Sequence, residues 1–179
     1  MLVGTMTTFK DTVQTSDSLA IGIRFKPGAI SAFYNLNLNE VTNLAVPYQD
    51  KQLIEIINRG KDVQRKLDHY FLNKLNAEPP PVSAVMNDIY ALKGQLSVAD
   101  LISRHAMSER KLERLFKLHT GVSVKAMIKL VRFTSVLDII RNNSTGGNLT
   151  HIALAAGYYD QAHLCNEVKA YTGLTPGQL

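Results

Sequence analysis

The sequence has little of the chemistry that crosslinks a chain or anchors it in a membrane. Its one cysteine, Cys165, excludes an internal disulfide framework and a cysteine-rich zinc site. No apolar run approaches the roughly 20 residues that cross a bilayer. The first residues, MLVGTMTTFKDT, lack the long apolar stretch of a secretory signal. These absences predict a cytoplasmic protein without a membrane partner.

Motifs that mark common enzyme classes are also missing. The sequence contains no GxSxG elbow, no HExxH, no phosphate-binding glycine loop and no acidic constellation. Its histidines are scattered and show no ligand spacing with Cys165; they are His69, His105, His119, His151 and His163. We therefore expect a protein that is not an enzyme, with no catalytic residue, no metal site and no cofactor.

Positive charge is present, and it is unevenly distributed. The formal net charge is +5 and the pI is about 9.3. Residues 96–179 carry ten basic and six acidic side chains, whereas residues 1–45 carry three of each. The excess in the C-terminal half is a mild indication of a polyanionic partner.

The first 45 residues read as mixed structure. LAIGIRF is typical of a β-strand, and AISAFY after Pro27 predicts a short helix. In NLNEVTN, Asn37 and Glu40 have the spacing of a helix N-cap and its reciprocal partner. One strand is too little for a closed ligand pocket, so we expect the end of a domain whose beginning is missing.

The next segment is helical and ends at a run of prolines. Apolar residues recur at helical spacing from Asp50 to Leu75, and Gly60 divides the stretch into two helices. Pro79, Pro80 and Pro81 cannot continue a helix interior. We therefore predict a partial N-terminal segment at 1–45, a helical connector at 46–78 and a C-terminal domain at 82–179.

The C-terminal domain reads as consecutive helices. In VSAVMNDIYALKG, Val85, Ile89 and Leu92 should face inward, and Gly94 should end the helix. The remaining predicted helices are SVADLISRHA capped by Ser97, SERKLERLFKLHTG capped by Ser108 and closed by Gly121, a long helix from Ser123 to about Asn143, LTHIALAAG, DQAHLCNEVKAYTG, and a last turn in TPGQL. The fold class is therefore mainly α, preceded by a small α/β remnant.

The chain repeats itself at an offset of 52 residues. FKLHTGVS, which starts at Phe116, returns as VKAYTGLT, which starts at Val168. Each copy reads as a short helix, a three-residue turn and a capped helix, which is the helix-turn-helix pattern. Gly157 stands where this turn needs a small residue with positive φ, and His105 at the equivalent place is a poorer fit.

The spacing of the two copies suits duplex DNA. The linking helix should be roughly 30 Å long at about 1.5 Å per residue. Successive major-groove faces of B-DNA are roughly 34 Å apart. One rigid chain could thus present two reading helices, residues 108–120 and 160–172, to adjacent major grooves of double-stranded DNA.

The first reading helix carries charged residues outside its apolar stripe. The stripe, which should face the core, consists of Leu112, Leu115, Phe116 and His119. Arg110 and Arg114 lie one turn apart and can bind guanine, and Glu113 can accept from cytosine N4. The alternative is a solvated face on which Glu113 pairs with Lys117. The duplication favours the reading role.

The second reading helix has no charge at the matching positions. Leu164, Val168 and Tyr171 should face inward. The outward candidates are Gln161 for a base or a phosphate, Ala162 for a thymine methyl, Cys165, and Asn166 for adenine. Candidates for phosphate contacts, which orient a protein without reading sequence, are Lys111, Lys117, Thr150, His151 and Lys169.

Residues from about Val82 to Leu179 resemble the DNA-binding domain of AraC/XylS-type transcription regulators. The resemblance rests on LSVADLISRHAMSERKLERLFKLHTGVS, on Arg132 in the linking helix, and on IALAAGYYDQAHLCNEVKAYTGLTP. It implies a transcription regulator, often an activator, that responds to a small molecule and contacts RNA polymerase. By the same resemblance, the base-facing positions are Arg110, Glu113, Arg114, Gln161, Ala162, Cys165 and Asn166.

This sequence also departs from that family. Relatives usually carry aromatic residues where Leu164 and Val168 stand, and an arginine where Asn166 stands. The N-terminal segment is similar to the last part of a sensor-like domain that precedes the DNA-binding domain in some relatives. The resemblance therefore implies a partial sensor-like domain at residues 1–45.

Two other functions fit parts of the sequence. Residues 50–75 could pair with another chain, so that the protein is a helical protein-interaction module or a homodimer formed through residues 1–78. A DNA-modifying protein could use this domain for targeting, with Cys165 as a reactive group. Because no catalytic motif surrounds Cys165, we interpret it as a small helix residue.

Overall fold

The computed structural model describes residues 1–10, 21–76, 78–142 and 148–179, with the backbone alone at residue 142. Two short strands form an antiparallel pair, β1 (Leu2–Val3) and β2 (Ala45–Val46). The α-helices are α1 (Lys51–Asn58), α2 (Val63–Lys74), α3 (Ser83–Ala91), α4 (Val98–His105), α5 (Glu109–Thr120), α6 (Val124–Asn142), α7 (Leu149–Ala155) and α8 (Gln161–Thr172). Three 3₁₀ turns cover Ala29–Ala32, Leu38–Val41 and Pro176–Gln178. The mainly helical prediction is confirmed.

The predicted strand in LAIGIRF is wrong for its described residues. Residues 21–25 are irregular, with Ile21 and Ile23 exposed, and residues 19 and 20 lie outside the described ranges. Strand pairing occurs instead between Leu2 and Val46. A strand needs a neighbour for its N–H and C=O groups, and β-branched composition does not supply one.

Both short helices predicted in the N-terminal segment form as 3₁₀ turns. Asn37 caps the second turn, because its side chain accepts from the Asn39 N–H at 3.3 Å. The amide of Asn37 also donates to Glu40 Oε1 at 2.8 Å, as the spacing of the two residues predicted. The turn Leu38–Val41 lies against the last turn of α5.

Helices α1 and α2 form a hairpin divided at Gly60, as predicted. Gly60 has φ +64°, which other residues adopt at a cost. Asp50 caps α1 by accepting from the N–H groups of Gln52 and Leu53. The same carboxylate accepts from Tyr70 Oη at 2.5 Å and from Lys74 Nζ at 3.4 Å. One largely buried carboxylate therefore ties the start of α1 to the end of α2.

Two apolar cores lie along α6. The first is formed by α3, α4, α5 and the N-terminal half of α6, with Val85 and Ile89 fully buried as predicted. The second is formed by the C-terminal half of α6 with α7 and α8. The inward placement of Leu92 is wrong. Helix α3 ends at Ala91, and Lys93 and Gly94 turn the chain with positive φ, which leaves Leu92 exposed.

The predicted helix caps are confirmed in both helix-turn-helix units. Ser97 and Asp100 form a reciprocal capping box at the start of α4. Ser108 accepts from Lys111 N at 3.3 Å, and its counterpart Asp160 accepts from His163 N at 2.7 Å. Gly121 and Gly173 close α5 and α8 with φ +82° and +75°.

The turns inside the two units differ from the sequence prediction. The first has three residues, 106–108, as expected, but the second has five, 156–160. Gly157 has the predicted positive φ of +77°. In the first unit Ala106, with φ +48°, takes this role, and His105 ends α4 with Nε2 3.0 Å from Asp88 Oδ2. Because α7 ends two residues earlier than the repeat offset predicts, the two units align in their reading helices and not in their turns.

The long linking helix is present as α6, which spans 19 residues. Its predicted end near Asn143, in NNSTGGN, falls on residues 143–147, which are outside the described ranges. Within the parts of the chain that the structure describes, no helix is both long enough and apolar enough to cross a membrane.

Substituting Gly94 should destabilise the fold much more than substituting Gly60. Both have positive φ, which costs an alanine about 1 kcal/mol. A Cβ at Gly94 would also lie 2.5 Å from the Ile128 carbonyl oxygen, whereas nothing lies within 4 Å of one at Gly60. We expect Gly94→Ala to cost about 2 kcal/mol more than Gly60→Ala in urea unfolding. Equal losses would contradict the close approach of Gly94 to α6.

Asp50→Asn should lower the free energy of unfolding at neutral pH, and this loss should become smaller in acid. Burial opposes ionisation of Asp50, but the hydrogen bonds from Tyr70 and Leu53, together with Lys74, hold its pKa below the ordinary value of 3.8. A lowered folded-state pKa stabilises the fold above the unfolded pKa, and this stabilisation is lost as pH falls through the folded value. Because asparagine retains the N-cap, the loss at pH 7 should be about 1–2 kcal/mol.

Unfolding by urea between pH 7 and pH 2.5 measures this difference. The difference in the free energy of unfolding between wild type and Asp50→Asn should become smaller at the acid end of this range. The control is Asp68→Asn, which removes an exposed carboxylate from α2. A gap that stays constant with pH would show that the Asp50 charge contributes nothing.

Candidate nucleic-acid interface

Helices α5 and α8 have the same length and the same kinds of ends. Both have 12 residues, begin at a capped residue and end at a left-handed glycine. Each buries two residues of its apolar stripe completely, Leu112 and Phe116 in α5 and Leu164 and Val168 in α8. Each therefore turns its opposite side to solvent. Helix α6, at about 28 Å from its 19 residues, stands between them.

Arg132, in the middle of α6, connects the two units. Its Nε and Nη2 donate to the carbonyl oxygen of Gly94 at 3.0 and 2.9 Å, and Nη1 donates to that of Gly157 at 3.3 Å. The guanidinium lies 5.8 Å from the ring centroid of Tyr158. Nearby, Gln95 Nε2 donates to the Ala155 carbonyl at 3.1 Å. Arg132 therefore joins the end of α3 to the turn between α7 and α8.

The outward side of α5 is basic. Arg110 and Arg114 are exposed and one helical turn apart, and Lys111 and Lys117 are exposed on the same helix. His119, by contrast, is half-buried, and burial lowers the pKa of its imidazole. A neutral histidine suits the inward position that the helical stripe predicts. The structure thus gives α5 a cationic surface of four side chains.

Glu113 does not share that surface. It is half-buried, and its Oε1 accepts from the N–H of Val124 at 3.3 Å in the first turn of α6. A carboxylate is favoured at a helix N-terminus, where free N–H groups and the helix dipole attract negative charge. Among the ion pairs of the described ranges, a Glu113–Lys117 pair does not occur. The carboxylate of Glu113 therefore connects α5 to α6.

The outward side of α8 is polar and has one charge. Gln161, Ala162, Asn166 and Lys169 are exposed, and Cys165 is half-buried. Its inner side is fixed by Tyr171, which is stacked on Phe133 of α6 with ring centroids 4.6 Å apart. Helix α8 therefore presents amides and a methyl group where α5 presents guanidinium groups.

The start of α7 lies beside the start of α8. Thr150 Oγ1 donates to Gln161 Oε1 at 2.9 Å, which brings two of the predicted contact residues together. His151, beside Thr150, is exposed. The first turns of both helices thus form one polar surface at the edge of the second unit.

Sequence reasoning missed an aromatic residue in this region. Tyr159, in the turn before α8, is 87% exposed. Its neighbour Tyr158 is buried, donates from Oη to Glu167 Oε1 at 2.8 Å, and has its pKa raised by burial. The signal in the sequence was the pair of adjacent tyrosines, of which Tyr158 packs against the core and Tyr159 does not.

Comparison with known proteins agrees with this geometry. Residues 101–179 match a family described as a helix-turn-helix domain, and residues 1–47 match a domain of unknown function (DUF6597). A protein of Haemophilus influenzae, described as an uncharacterized HTH-type transcriptional regulator, is 30% identical over 81 residues. The match covers 45% of this chain and 26% of that relative, so the chain spans about a quarter of its length. No solved structure matches.

The matched region contains most of α4, all of α5 to α8 and the final 3₁₀ turn, and so includes both buried cores in large part. It also includes both reading helices and Arg132. Residues 101–179 of this chain are therefore similar to the helix-turn-helix DNA-binding domains of the AraC type.

Proposed function

We propose that this protein is a cytoplasmic transcription regulator that binds specific sequences of duplex DNA through two helix-turn-helix units. The observation that carries the proposal is the pair α5 and α8. Both are capped, packed on one side and open on the other, and both are attached to a single rigid helix. An α-helix fits the major groove of B-DNA, where each base pair shows a distinct pattern of donors and acceptors.

Helix α5 supplies most of the base recognition in this proposal. Arg110 and Arg114 are exposed one turn apart, and a guanidinium group can donate two hydrogen bonds to O6 and N7 of guanine. Glu113 has a different role, because its carboxylate already binds the first turn of α6. It positions α5 relative to the linking helix, and readout of a cytosine by Glu113 would require that contact to break.

Helix α8 supplies weaker recognition. Asn166 can bind adenine through its amide, and Ala162 can contact a thymine methyl group. Gln161 keeps its amide nitrogen for a base or phosphate while its oxygen accepts from Thr150. The half-buried Cys165 can make only a short apolar contact. No guanidinium group stands on this surface, so each of these contacts should discriminate less than an arginine does.

Phosphate contacts should hold the protein on the duplex. Lys111, Lys117 and Lys169 are exposed beside the reading surfaces, and Thr150, His151 and Tyr159 are exposed around the start of α8. Such contacts set orientation, release counterions and make affinity fall as salt rises, with a log–log slope of about −0.9 per phosphate.

The proposal also includes contact with RNA polymerase, dimerisation through residues 1–78 and a role without catalysis. These three parts rest on the family resemblance and on the N-terminal helices. The dimer is tested by light scattering of the full chain during size-exclusion chromatography. A monomer at micromolar concentration would remove residues 1–78 as a dimerisation element.

Arg114→Ala should relax specificity, whereas Lys117→Ala should not. Loss of a bidentate guanine contact should cost roughly 1–3 kcal/mol and permit other bases at one position. Loss of the lysine should weaken all sequences alike and reduce the salt slope by about 0.9. Asn166→Ala should cost less than Arg114→Ala.

Binding curves on a panel of single-base variants of the site, at two or more salt concentrations, separate these effects. Arg65→Ala is the control, because it removes an exposed arginine of α2 outside both units. If Arg114→Ala weakened every sequence equally, Arg114 would be a phosphate contact and not a base contact.

The arrangement of the two units predicts the form of the DNA site. Selection of bound duplexes from a random pool should yield two half-sites about ten base pairs apart, because α5 and α8 would occupy adjacent major grooves. The half-site bound by α5 should be the better defined. Recovery of a single short site would show that only one unit reads bases, and recovery of no sequence would contradict the proposed function.

A further inference from the structure

The N-terminal segment contacts the closing turn of the first reading helix. Thr5 Oγ1 donates to the carbonyl oxygen of Thr120 at 2.5 Å, and Thr42 Oγ1 donates to that of Gly121 at 2.5 Å. A Cβ at Gly121 would lie 2.6 Å from the carbonyl oxygen of Leu38. The last carbonyl groups of a helix have no partner within the helix. Here residues from the first 45 supply part of what they lack.

The same segment contacts the closing turn of the second reading helix. The ring of Phe9 lies against Gly173, where a Cβ would be 3.1–3.2 Å from three ring carbons. Gly173 ends α8 as Gly121 ends α5, in the left-handed conformation and at the repeat offset. Thr5 and Phe9 are four residues apart. A short piece of chain therefore reaches equivalent points of both units.

That piece of chain is itself held in place. Its main chain is bound to Asn43, whose N–H donates to the Thr5 carbonyl at 3.1 Å and whose Oδ1 accepts from Thr7 N at 2.7 Å. The Asn43 amide also donates to Thr7 Oγ1 at 2.9 Å. One residue earlier, Gly4 N donates to the Leu44 carbonyl at 3.0 Å, next to the β1–β2 pair. Residues 4–7 are thus held against Asn43 and Leu44, and Phe9, which is 48% exposed, follows two residues later.

We propose that residues 5–9, which we name the N-terminal brace, set the relative position of α5 and α8. Arg132 already joins the two units at Gly94 and Gly157. Arg132 and the packing of both units on α6 hold the units near the middle of that helix, whereas a connection at a different place limits their rotation about it. The brace makes such a connection at the C-terminal ends of the two reading helices. Thr5 and Phe9 are accordingly positioning residues.

A consequence for DNA follows, and it rests on the proposed function. If α5 and α8 bind adjacent grooves, their relative position determines which half-site spacing the protein prefers. The brace contacts the far ends of the helices and supplies none of the side chains assigned to bases. Removing it should therefore change the preference for spacing and leave recognition of one half-site intact.

The effect of the N-terminal brace on the relative position of α5 and α8 is tested without DNA. Spin labels on Lys117→Cys and Lys169→Cys, in a Cys165→Ser background, report the distance between the outer sides of α5 and α8 in the full chain. We expect a narrow distance distribution, and a broader one after Phe9→Ala or Thr5→Val. Thr5→Ser retains the hydroxyl donor and should remain narrow. Phe25→Ala is the matched control, since it also removes a phenylalanine ring from the N-terminal segment, and that ring packs on Phe33 and Phe71.

The distance distributions of these variants decide whether the N-terminal brace holds α5 and α8 in place. Broadening in Phe9→Ala and Thr5→Val, with narrow distributions in Thr5→Ser and Phe25→Ala, supports the brace. An unchanged distribution in Phe9→Ala would overturn it and would show that α6 and Arg132 hold the units by themselves. Because no DNA is present, this result is independent of whether the protein binds DNA at all.

The DNA consequence is tested with the two selected half-sites placed at spacings that vary by one base pair. Wild type should prefer one spacing, and Phe9→Ala should reduce that preference by about threefold or more. Affinity for a duplex with the α5 half-site alone should stay the same. If Phe9→Ala broadened the distances yet kept the full spacing preference, the brace would not govern site spacing. Failure of wild type to bind any duplex would instead contradict the proposed function.

Discussion

The arrangement of both helix-turn-helix units depends on one guanidinium group. Arg132 donates to the carbonyl oxygens of Gly94, which follows α3, and of Gly157, which lies between α7 and α8, and both glycines have positive φ. The contact is possible because Gly94 has no Cβ, since one would lie 2.7 Å from the backbone nitrogen of Arg132. Charge-assisted hydrogen bonds with fixed fork geometry specify orientation as well as energy. Arg132 thus ties the end of α3 to the turn between α7 and α8 at the middle of α6.

On that scaffold the two units carry different surfaces. The buried positions are equivalent, with Leu112 and Phe116 in one unit and Leu164 and Val168 in the other, all without exposed surface. The outward side changes from arginines on α5 to amides and a methyl group on α8. Buried positions tolerate little change because cores are close-packed, whereas exposed positions are free to vary. The two units therefore share the same buried support and differ in their exposed surfaces.

Features that depend on neighbours in the sequence were predictable. The caps Ser97 and Ser108 and the helix end at Gly121 were correct because a cap bonds to N–H groups two or three residues away. The wrong predictions concern features that the local sequence pattern does not determine. LAIGIRF has strand composition but no strand partner at Ile21–Phe25, and Leu92 follows an apolar period that the turn at Lys93 and Gly94 interrupts. The left-handed residue of the first unit was placed one position early, at His105 instead of Ala106.

By itself the sequence determined the helices, their caps, the repeat and the apolar stripes, because these follow from periodicity and short-range hydrogen bonding. Which of the predicted reading residues face outward was decided by the tertiary structure. Arg110 and Arg114 remain exposed, whereas Glu113 binds the first turn of α6. The contacts of Thr5 with Thr120 and of Phe9 with Gly173 join residues more than 100 positions apart. No sequence pattern encodes such contacts, because they exist only when separate elements are packed side by side.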